Sequence, residues 1–496
     1  MTRPVRHLVI AGGGTAGWMA ASLLRKVLPK AIDITLVESE DIGIVGVGEA
    51  TIPPIQTFNR VLGLDEKAFL RETKGSLKLA IRFENWRVPG ESYYHTFGAP
   101  GANLGYSSFQ HYWLRANAIG AARSLWDYDL NYLCCEAGKF NKIQTQNPLY
   151  EMQYAYHFDA GLYGQFLRRL AEQDGVKRVE GIIGHIATDP DSGYITGLQL
   201  KNGQQIDGDF FIDCTGMRGL LIQQTLGVAY EDWKHWLPAD TALAVPSERH
   251  DKTAPFTRSI AHRVGWQWRI PLTHRNGNGI VYASDYLTDD EAHDTLMGNL
   301  DTQALDTPRK IRFRTGRTSK QWHKNVVAIG LSSGFLEPLE STSIHLIQSG
   351  IVRLMKMFPN QGISDAMVDA YNAESKDEFE TIRDFIILHY HVNERTDSDF
   401  WQDMRALTIP DRLAHKIEAF RETAAIFNEP NDIFRDASWL QVMLGQGIMP
   451  RDFHPAALQP DDKTLRETMD KLYQAKQEPL AAMLAHDDFL TRYTGG

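Results

Sequence analysis

The start of the chain alternates between apolar runs and glycine-rich turns in the pattern of a β-α-β unit. Residues 6–11 (HLVIAG) form an apolar run that ends in glycine, which predicts a strand. Residues 17–28 carry Ala, Leu and Val on one face at helical spacing, and residues 32–38 predict a second strand. Residues 42–54 contain too much glycine for a helix interior. The chain therefore opens with a strand, a glycine turn, a helix and a second strand.

Apolar and polar positions also alternate along residues 76–86 (SLKLAIRFENW). Leu77, Leu79 and Ile81 point to one side of this predicted strand, and Lys78 and Arg82 point to the other. The pattern predicts a half-buried strand with a lysine on its second face. On the pattern alone, the stem of that lysine would follow the strand and its ammonium group would reach solvent.

The rest of the chain continues this mixture of strands and helices. In chain order, the pattern predicts an aromatic, loop-like segment at 91–150, a helix at 160–174, strands at 176–183, 194–200 and 208–216, short β-type runs over 240–330 with a buried strand at 325–330, a helix at about 343–357, and a helical region over 364–490 with breaks at Pro410, Pro430 and Pro450.

Composition and charge narrow the class of protein. The chain has 52 basic and 62 acidic residues, so its net charge of −10 disfavours nucleic acid as a partner. No stretch approaches the roughly 18–20 apolar residues that span a bilayer, and MTRPVRHLVIAGGG lacks the apolar core of a signal peptide. Cys134, Cys135 and Cys214 show no metal-ligand spacing. We therefore expect a cytoplasmic protein without disulfides, a bound metal, or a membrane or nucleic-acid partner.

A G-x-G-x-x-G motif follows the first strand and opens the first helix. It consists of Gly12, Gly14 and Gly17, with Thr15 and Ala16 inside it. Glycines at these positions allow a tight turn and a close approach of the backbone to a pyrophosphate, which the amides at the helix start would bind. The motif predicts a dinucleotide site. It does not distinguish NAD from FAD, and a turn that binds no nucleotide remains the alternative.

Glu38 ends the second strand, 21 residues after Gly17. A carboxylate at this position in a dinucleotide-binding unit accepts hydrogen bonds from a ribose hydroxyl. Glu38 is therefore a predicted cofactor contact.

Two more strands end in glycine turns far downstream, at 208–219 (GDFFIDCTGMRG) and at 325–342 (NVVAIGLSSGFLEPLEST). Three such turns resemble the discontinuous FAD domain of the aromatic hydroxylase class of flavoproteins, whereas a short NAD domain needs only the first. This resemblance implies that Gly216, the turn around Gly330, and Leu336 lie near a flavin.

Five sequence blocks carry a more specific resemblance: GGGTAGW, VGVGEATIP at 45–53, KLAIRFENW at 78–86, GWQWRIP at 265–271 and EPLESTSI at 337–344. GWQWRIP contains the pattern W-x-W-x-I-P. With these blocks in order, the chain resembles the flavin-dependent halogenases, the tryptophan halogenase family, over essentially its whole length. The second block then adds Gly48 and Ala50 to the predicted cofactor site.

The resemblance implies a reaction. Reduced FAD and O₂ would form a flavin hydroperoxide, and chloride or bromide would react with it to give hypohalous acid. That acid would travel through a tunnel to an electron-rich aromatic substrate such as an indole. Lys78 matches the family lysine at the far end of the tunnel, where its amine would hydrogen-bond hypohalous acid or form a haloamine and direct it at a ring carbon.

The block EPLESTSI supplies the other predicted catalytic groups. Glu340 matches the family's acidic residue, which would stabilise the cationic ring intermediate and accept its proton. A carboxylate that only stabilises the start of a helix is the alternative. Ser341 would orient Glu340 or the lysine, and the backbone amides of Thr342 and Ser343 would bind halide. The halogenases of free tryptophan usually have glycine in place of Ser343.

The resemblance also assigns residues to the tunnel and the substrate site, with ordinary aromatic packing as the alternative. These residues are Trp266, Trp268, His95, Phe97, Pro338 and Trp439. The C-terminal region 438–450 (SWLQVMLGQGIMP) does not match the polar contacts by which halogenases of free tryptophan hold the amino acid group. An indole without that group, or a larger substrate, is therefore the predicted substrate.

The predicted fold is α/β: a discontinuous, Rossmann-like FAD-binding fold of the aromatic hydroxylase type, with an interleaved substrate module and a helical C-terminal region. We expect the FAD-binding domain to comprise 1–90, 150–220 and 320–365, and the substrate module to comprise 91–149, 221–319 and 366–496. No second G-x-G-x-x-G suggests an NAD(P)H site, so a separate flavin reductase would supply FADH₂ by diffusion. Monomer and homodimer both remain open, as do an aromatic monooxygenase and a non-catalytic flavin-binding protein.

Overall fold

The computed structural model describes residues 4–41, 48–105, 107–429 and 432–495, with the side chain of Pro148 excepted. Part of the block VGVGEATIP and the predicted break at Pro430 therefore lie outside the described residues.

The strands follow one another along the whole chain. They are β1 (His7–Ala11), β2 (Asp33–Glu38), β3 (Gly48–Ala50), β4 (Ser76–Lys78), β5 (Ala80–Glu84), β6 (Ser92–Thr96), β7 (Lys139–Phe140), β8 (Ala155–Asp159), β9 (Lys177–Glu180), β10 (Ile183–Thr188), β11 (Ile195–Leu200), β12 (Gln205–Asp207), β13 (Phe210–Asp213), β14 (Tyr230–Asp232), β15 (Thr241–Glu248), β16 (Phe256–Ala261), β17 (Trp266–Pro271), β18 (Arg275–Tyr282), β19 (Arg309–Arg312), β20 (Gly316–Thr318), β21 (Trp322–His323), β22 (Val326–Ala328), β23 (Gly334–Phe335) and β24 (Leu484–Ala485).

The helices become frequent towards the C-terminus. They are α1 (Thr15–Val27), α2 (Pro54–Leu62), α3 (Glu66–Glu72), α4 (Phe109–Ala118), α5 (Leu130–Ala137), α6 (Ala160–Gln173), α7 (Asp289–Gly298), α8 (Ser343–Lys356), α9 (Asp365–His391), α10 (Asp399–Ala406), α11 (Asp411–Thr423), α12 (Asp436–Gly445), α13 (Asp462–Ala481) and α14 (His486–Thr494). Over the described part of the chain, every helix is too short or too polar to cross a membrane.

The chain divides into two compact units, each assembled from three segments. Unit 1 comprises Met1–Gly75, Phe158–Thr241 and Ile311–Glu380, and unit 2 comprises Ser76–His157, Ala242–Lys310 and Thr381–Gly496. The predicted domains alternate along the chain in the same order, although the first change of unit occurs after residue 75 and the first predicted change after residue 90. The assignment of FAD and substrate to these segments stays a prediction.

Unit 1 is built on a six-stranded sheet in the order β21-β22-β13-β1-β2-β9. Five of these strands, β22, β13, β1, β2 and β9, run parallel. Their continuous apolar runs, such as FFI at 210–212, are buried because parallel strands are covered on both faces. The predicted strand, helix and strand at the N-terminus are confirmed as β1, α1 and β2.

Unit 2 contributes six strands, in the order β15-β18-β17-β16-β5-β6, to a seven-stranded, mostly antiparallel sheet. β5 is parallel to β16 and antiparallel to β6, so it is an interior strand. This position corrects the predicted strand 76–86. It is two strands, β4 and β5, interrupted at Leu79, and Lys78 is 0% exposed rather than half-buried.

The predicted loop-like character of 91–150 is wrong, because this segment contains β6, α4 and α5. In α4, Phe109, Tyr112, Trp113 and Ala116 are buried at the i, i+3, i+4, i+7 spacing of a helix face. Their aromatic side chains have only moderate helix propensity, which hid the periodicity.

Candidate functional site

Each predicted site residue falls within one of the two units. Unit 1 holds Gly12, Gly14, Thr15, Ala16, Gly17, Glu38, Gly48, Ala50, Gly216, Gly330, Leu336, Pro338, Glu340, Ser341, Thr342 and Ser343. Unit 2 holds Lys78, His95, Phe97, Trp266, Trp268 and Trp439.

The three glycine turns of unit 1 leave the same edge of one sheet. β1, β13 and β22 are parallel neighbours, with Ala11 in register with Asp213 and Asp213 in register with Ala328. The carboxyl ends of parallel strands meet at one sheet edge, where open α/β folds bind their ligands. A Cβ on Gly330 would press against the Cβ of Ala16, so the third turn also contacts the first helix.

Glycine is required in the first turn for steric reasons. Gly12 has φ +107°, and a Cβ there would overlap the carbonyl oxygen of Cys214. A Cβ on Gly17 would overlap the carbonyl oxygen of Gly12. Gly14, by contrast, faces open space and precedes α1 without a side-chain cap or an acidic residue in the first turn. The free amides at this helix start fit a pyrophosphate.

Glu38 lies directly beside this turn, because a Cβ on Gly13 would overlap its carboxylate. The Glu38 carboxylate accepts a 2.6 Å hydrogen bond from Nε of Arg178 and a 3.2 Å hydrogen bond from Nε1 of Trp18. The Glu38 carboxylate thus lies beside the first glycine turn, and partners from β9 and α1 fix its orientation. Its contact with a ribose stays a prediction. The sequence prediction did not include Arg178, because only the pairing of β2 with β9 brings it to Glu38.

Asp213 organises the second turn and was also missed. Its buried carboxylate accepts hydrogen bonds from the amides of Thr215, Leu221 and Ile222 and from the Thr215 hydroxyl. Burial raises the pKa of Asp213, although these donors oppose the rise. The signal was an acid at the end of the apolar run FFID, where a buried carboxylate needs donors.

The short strand β3 carries Gly48 and Ala50, both buried, with Glu49 between them. Burial raises the pKa of Glu49 to about 7. The carboxyl group is therefore partly protonated near neutral pH. Sequence analysis did not single out Glu49.

The EPLEST segment forms a tight turn at the start of α8. Pro338–Glu340 make one 3₁₀ turn, and Ser341 has φ +60°, in the left-handed region that is uncommon for residues other than glycine. Glu340 is 1% exposed and Glu337, which we had not predicted, is 0% exposed. Two buried carboxylates beside a left-handed residue fit the predicted site, and a charge that only stabilises the start of α8 remains the alternative.

Thr342 is the N-cap residue of α8, but its side chain makes no capping hydrogen bond. Thr342 is 0% exposed, and its Oγ1 lacks a hydrogen-bond partner among the residues that the structure describes. The first turn of α8 carries no acidic residue. A buried hydroxyl beside free helix-start amides fits a small anion such as a halide.

Lys78, the predicted catalytic lysine, is fully buried in unit 2. Its Nζ lies 5.0 Å from the ring centroid of Phe97, which is half-buried. The backbone amide of Phe97 donates a 2.9 Å hydrogen bond to the carbonyl of Leu79, the residue that follows Lys78. This hydrogen bond keeps the Phe97 ring close to the lysine. Fully buried lysines are rare unless paired, and this burial excludes an ammonium group in solvent.

Phe97 and His95 share one face of the chain but differ in environment. His95 is 3% exposed and contacts the rings of Phe385 and Phe434. Trp439 contacts Phe385 edge-on at 4.8 Å, and its ring lies 4.2 Å from Nζ of Lys416. His95 and Trp439 therefore belong to one aromatic cluster.

A polar network fixes the segment between His95 and Phe97. Thr96 donates its hydroxyl to Asp129, and its amide donates a 3.0 Å hydrogen bond to Oε1 of Gln441 on α12. Asp129 and Gln441 are buried. Neither was predicted, because both come from distant parts of the chain.

Trp266 and Trp268 are alternate residues of β17, so both indoles lie on one face of the sheet. Their ring centroids are 6.2 Å apart, and Trp266 also packs against Trp86. Gly279 lies opposite Trp268 on β18, where a Cβ would overlap the indole. The pair is thus held in a fixed position.

Comparison with known proteins identifies the class to which this site belongs. The profile of the family described as "Tryptophan halogenase" matches residues 7–462. The tryptophan 7-halogenase RebH of Lentzea aerocolonigenes is 35% identical, with 96% of each chain covered. Among solved structures, the flavin-dependent halogenase Xcc4156 of Xanthomonas campestris has a TM-score of 0.97 at 50% identity. BrvH, a flavin-dependent halogenase of Brevundimonas sp. BAL3, has a TM-score of 0.95 at 42% identity, and both cover 99% of each chain.

These matches define an enzyme class, the flavin-dependent halogenases. This chain belongs to the tryptophan halogenase family. The predicted resemblance and the α/β fold with a Rossmann-like FAD-binding region and a helical C-terminal region are confirmed. The protein is an oxidoreductase that halogenates aromatic substrates, as predicted.

Proposed function

We propose that this enzyme brominates or chlorinates an indole without a free amino acid group, or an indole within a larger molecule. FADH₂ would come by diffusion from a separate flavin reductase, in the cytoplasm. The observation that carries the proposal is the 0% exposed Lys78, with the half-buried ring of Phe97 at 5.0 Å from its Nζ. A buried amine beside an accessible aromatic surface suits the delivery of an electrophile to a stacked arene.

Unit 1 would bind the cofactor. Its boundaries differ from those that we predicted for the FAD-binding domain. Bound reduced FAD supplies, with O₂ and halide, the hypohalous acid of the reaction. The amides around Gly14, Thr15 and Ala16 would hold the pyrophosphate, since Gly14 faces open space. Glu38, oriented by Arg178, would accept hydrogen bonds from the ribose. Gly48, Ala50, Gly216, Gly330 and Leu336 would complete the flavin contacts.

The first turn of α8 would hold the halide. The amides of Thr342 and Ser343 lack intrahelical acceptors, and the Thr342 hydroxyl is buried without a partner among the described residues. A halide would satisfy all three donors. Ser343 retains the amide that glycine offers in related enzymes, so the anion site remains complete.

Lys78 and Glu340 would act in sequence. The Lys78 amine would hold hypohalous acid by hydrogen bonding, or as a haloamine, and direct the halogen at the ring carbon. Glu340, a carboxylate that is 1% exposed, would stabilise the cationic arene and accept its proton. Ser341 would orient the Glu340 carboxylate, and Pro338 would border the substrate. Trp266 and Trp268 would exclude the bulky substrate from the flavin while hypohalous acid passes.

Two observations favour a substrate without a free amino acid group, although RebH is named for tryptophan. The amide of Gln441 is engaged with Thr96, and the Nε2 of Gln446 donates to the carbonyl of His389. The polar side chains of Gln441 and Gln446 in the 438–450 region are therefore engaged in hydrogen bonds within the protein. Phe97 remains half-buried and offers its ring to an indole, while His95 and Trp439 would shape the wall behind it.

A turnover assay tests this proposal. Purified enzyme receives regenerated FADH₂, O₂, bromide or chloride, and either indole or tryptophan, and the products are analysed by mass spectrometry. We expect halogenated indole in excess of halogenated tryptophan, with bromide as the better halide because it is more easily oxidised. Efficient halogenation of tryptophan over indole would contradict the proposed substrate. An added oxygen without halogen would point to a monooxygenase.

A further inference from the structure

The strand that carries Lys78 pairs with β8 in a short antiparallel ladder. Ser76 is in register with His157, and Lys78 is in register with Ala155. Because side chains alternate along a strand, Ser76, Lys78 and His157 lie on one face of this ladder. All three are 0% exposed.

Ser76 and His157 belong to a continuous chain of buried hydrogen bonds. The Ser76 hydroxyl donates to the carbonyl of Pro271 at 2.6 Å, and Oγ of Ser76 lies 2.9 Å from Nδ1 of His157. Nε2 of His157 lies 2.9 Å from Oγ1 of Thr257 on β16. The chain thus connects four strands, β4, β8, β16 and β17, and ends at Pro271, the last residue of W-x-W-x-I-P.

The direction of these hydrogen bonds follows from their donors. A carbonyl only accepts, so the single Ser76 proton goes to Pro271, and Ser76 must accept from Nδ1–H of His157. Nε2 of the neutral ring then accepts from the Thr257 hydroxyl. Burial and the neighbouring charge of Lys78 hold the pKa of His157 well below its usual range, which agrees with a neutral ring.

The residue between Ser76 and Lys78 is held by a second imidazole. The amide of Leu77 donates to Nε2 of His486 at 3.3 Å, and Nδ1 of His486 donates to the carbonyl of Thr253 at 2.8 Å. The two residues before Lys78 are therefore each tied to a buried histidine.

We propose that Thr257, His157 and Ser76 are positioning residues that hold Lys78 in the geometry for halogen delivery. This inference rests on the proposed role of Lys78. A lysine side chain has four rotatable bonds, so its amine is placed accurately only if the backbone beneath it is fixed. A polar chain of this kind fixes that backbone more narrowly than apolar packing, because each hydrogen bond in it has a defined donor, acceptor and direction.

The chain offers isosteric changes that separate positioning from folding. Thr257→Val keeps the shape but removes the donor to His157, whereas Thr257→Ser keeps the hydroxyl. His157→Phe removes both hydrogen bonds. Tyr93→Phe is the matched control, because it breaks another buried 2.9 Å hydroxyl-imidazole bond in unit 2, to Nδ1 of His389.

The experiment measures, for each variant, halogenated product per FADH₂ oxidised, kcat and KM for indole, and the thermal midpoint. We expect Thr257→Val and His157→Phe to lower product yield and kcat by about 10-fold to 10²-fold, with the KM for indole unchanged. Thr257→Ser should restore the yield, and Tyr93→Phe should lose stability but keep the yield.

Two outcomes would overturn the inference, and they differ from a failure of the proposed function. Equal yields for Thr257→Val and Tyr93→Phe at equal loss of stability would mean that the chain only stabilises the fold. Failure of Thr257→Ser to restore the yield would exclude the hydroxyl as the important group. Lys78→Ala is measured in parallel: if it keeps normal halogenation, the role of Lys78 itself is wrong.

Discussion

Ser76 donates a 2.6 Å hydrogen bond to the carbonyl oxygen of Pro271, so the strand of Lys78 is tied to the final residue of W-x-W-x-I-P. The two sequence blocks are almost two hundred residues apart and have no local relationship. In unit 2 they share one buried polar chain. The W-x-W-x-I-P motif therefore does more than carry two indoles. Its last residue, Pro271, also holds the strand on which Lys78 lies.

Replacement of Lys78 tests whether its amine delivers the halogen. We expect Lys78→Ala to abolish halogenation while FAD binding and O₂ consumption continue, because the residues proposed to bind the cofactor are in unit 1 and remain unchanged. Product formation is measured beside flavin oxidation and peroxide release. Lys476→Ala is the control, since this lysine of unit 2 is also buried, at 2% exposed, and has no proposed role in delivery. Near wild-type halogenation by Lys78→Ala would remove the amine from the mechanism.

Glu340→Gln keeps the shape of the side chain but removes its charge and most of its basicity. We expect product formation to slow by roughly 10²-fold, the range for losing a general base or charge stabiliser, while flavin oxidation remains unchanged. Glu340→Asp should recover part of the loss. Stopped-flow flavin oxidation and product formation are compared for both variants.

The neighbouring acid provides a control for this prediction. Glu337→Gln changes an equally buried carboxylate three residues away. If Glu340→Gln slows flavin oxidation and product formation equally, Glu340 acts on halide or flavin. If it slows neither step, Glu340 only stabilises the start of α8.

Thr342→Val should have opposite effects on stability and on halide binding. In halide-free buffer it should stabilise the protein by about 1 kcal/mol, because a methyl group replaces a buried hydroxyl that has no partner among the residues the structure describes. The apparent halide affinity should fall by about 10-fold or more, since a hydrogen bond to a charged group is lost.

The measurement is the thermal midpoint in potassium gluconate and in potassium bromide, with the KM for bromide as a second readout. Thr318→Val is the control, because the equally buried Thr318 hydroxyl has a partner, the carbonyl of Ser333 at 3.0 Å. That variant should lose stability and keep its response to bromide. A Thr342→Val protein with the wild-type bromide response would place the halide elsewhere.

The N-terminal β-α-β unit could be predicted because its information is local. Apolar runs, helical spacing and the glycine motif all lie within residues 6–38, and β1, α1 and β2 formed there. The burial of Lys78 was not predictable in this way. It depends on strands and rings that come from distant segments, and an alternating pattern cannot show that both faces of a strand are covered.

The partners of the site residues were missed for the same reason. Arg178 reaches Glu38 only when β9 joins the sheet, and Gln441 reaches Thr96 only when α12 packs against β6. Family resemblance identified the chemical groups, but their supporting hydrogen bonds had to be found in three dimensions.

The buried histidines predict sensitivity to acid. Burial lowers the pKa of His486 from its usual value of 6.5 to about 4. The unfolded chain therefore binds more protons than the folded chain between these two pH values. The contribution of His486 to the free energy of unfolding is therefore fully present above pH 6.5. It is lost as the pH falls to about 4, and this loss lowers the free energy of unfolding by roughly 3 kcal/mol. His157, with its pKa also lowered, should add to the loss.

Urea denaturation between pH 7.5 and 4 measures this effect on the free energy of unfolding. His486→Asn should be less stable than wild type at pH 7.5, because the amide of Leu77 loses its acceptor. Its stability should then fall less steeply on acidification, so the two curves converge. His293→Asn is the control, as this exposed histidine of α7 should leave both the stability and its slope unchanged. Parallel curves for His486→Asn and wild type would mean that His486 has the same pKa in the folded and unfolded chains, and the lowered pKa of the buried imidazole would be wrong.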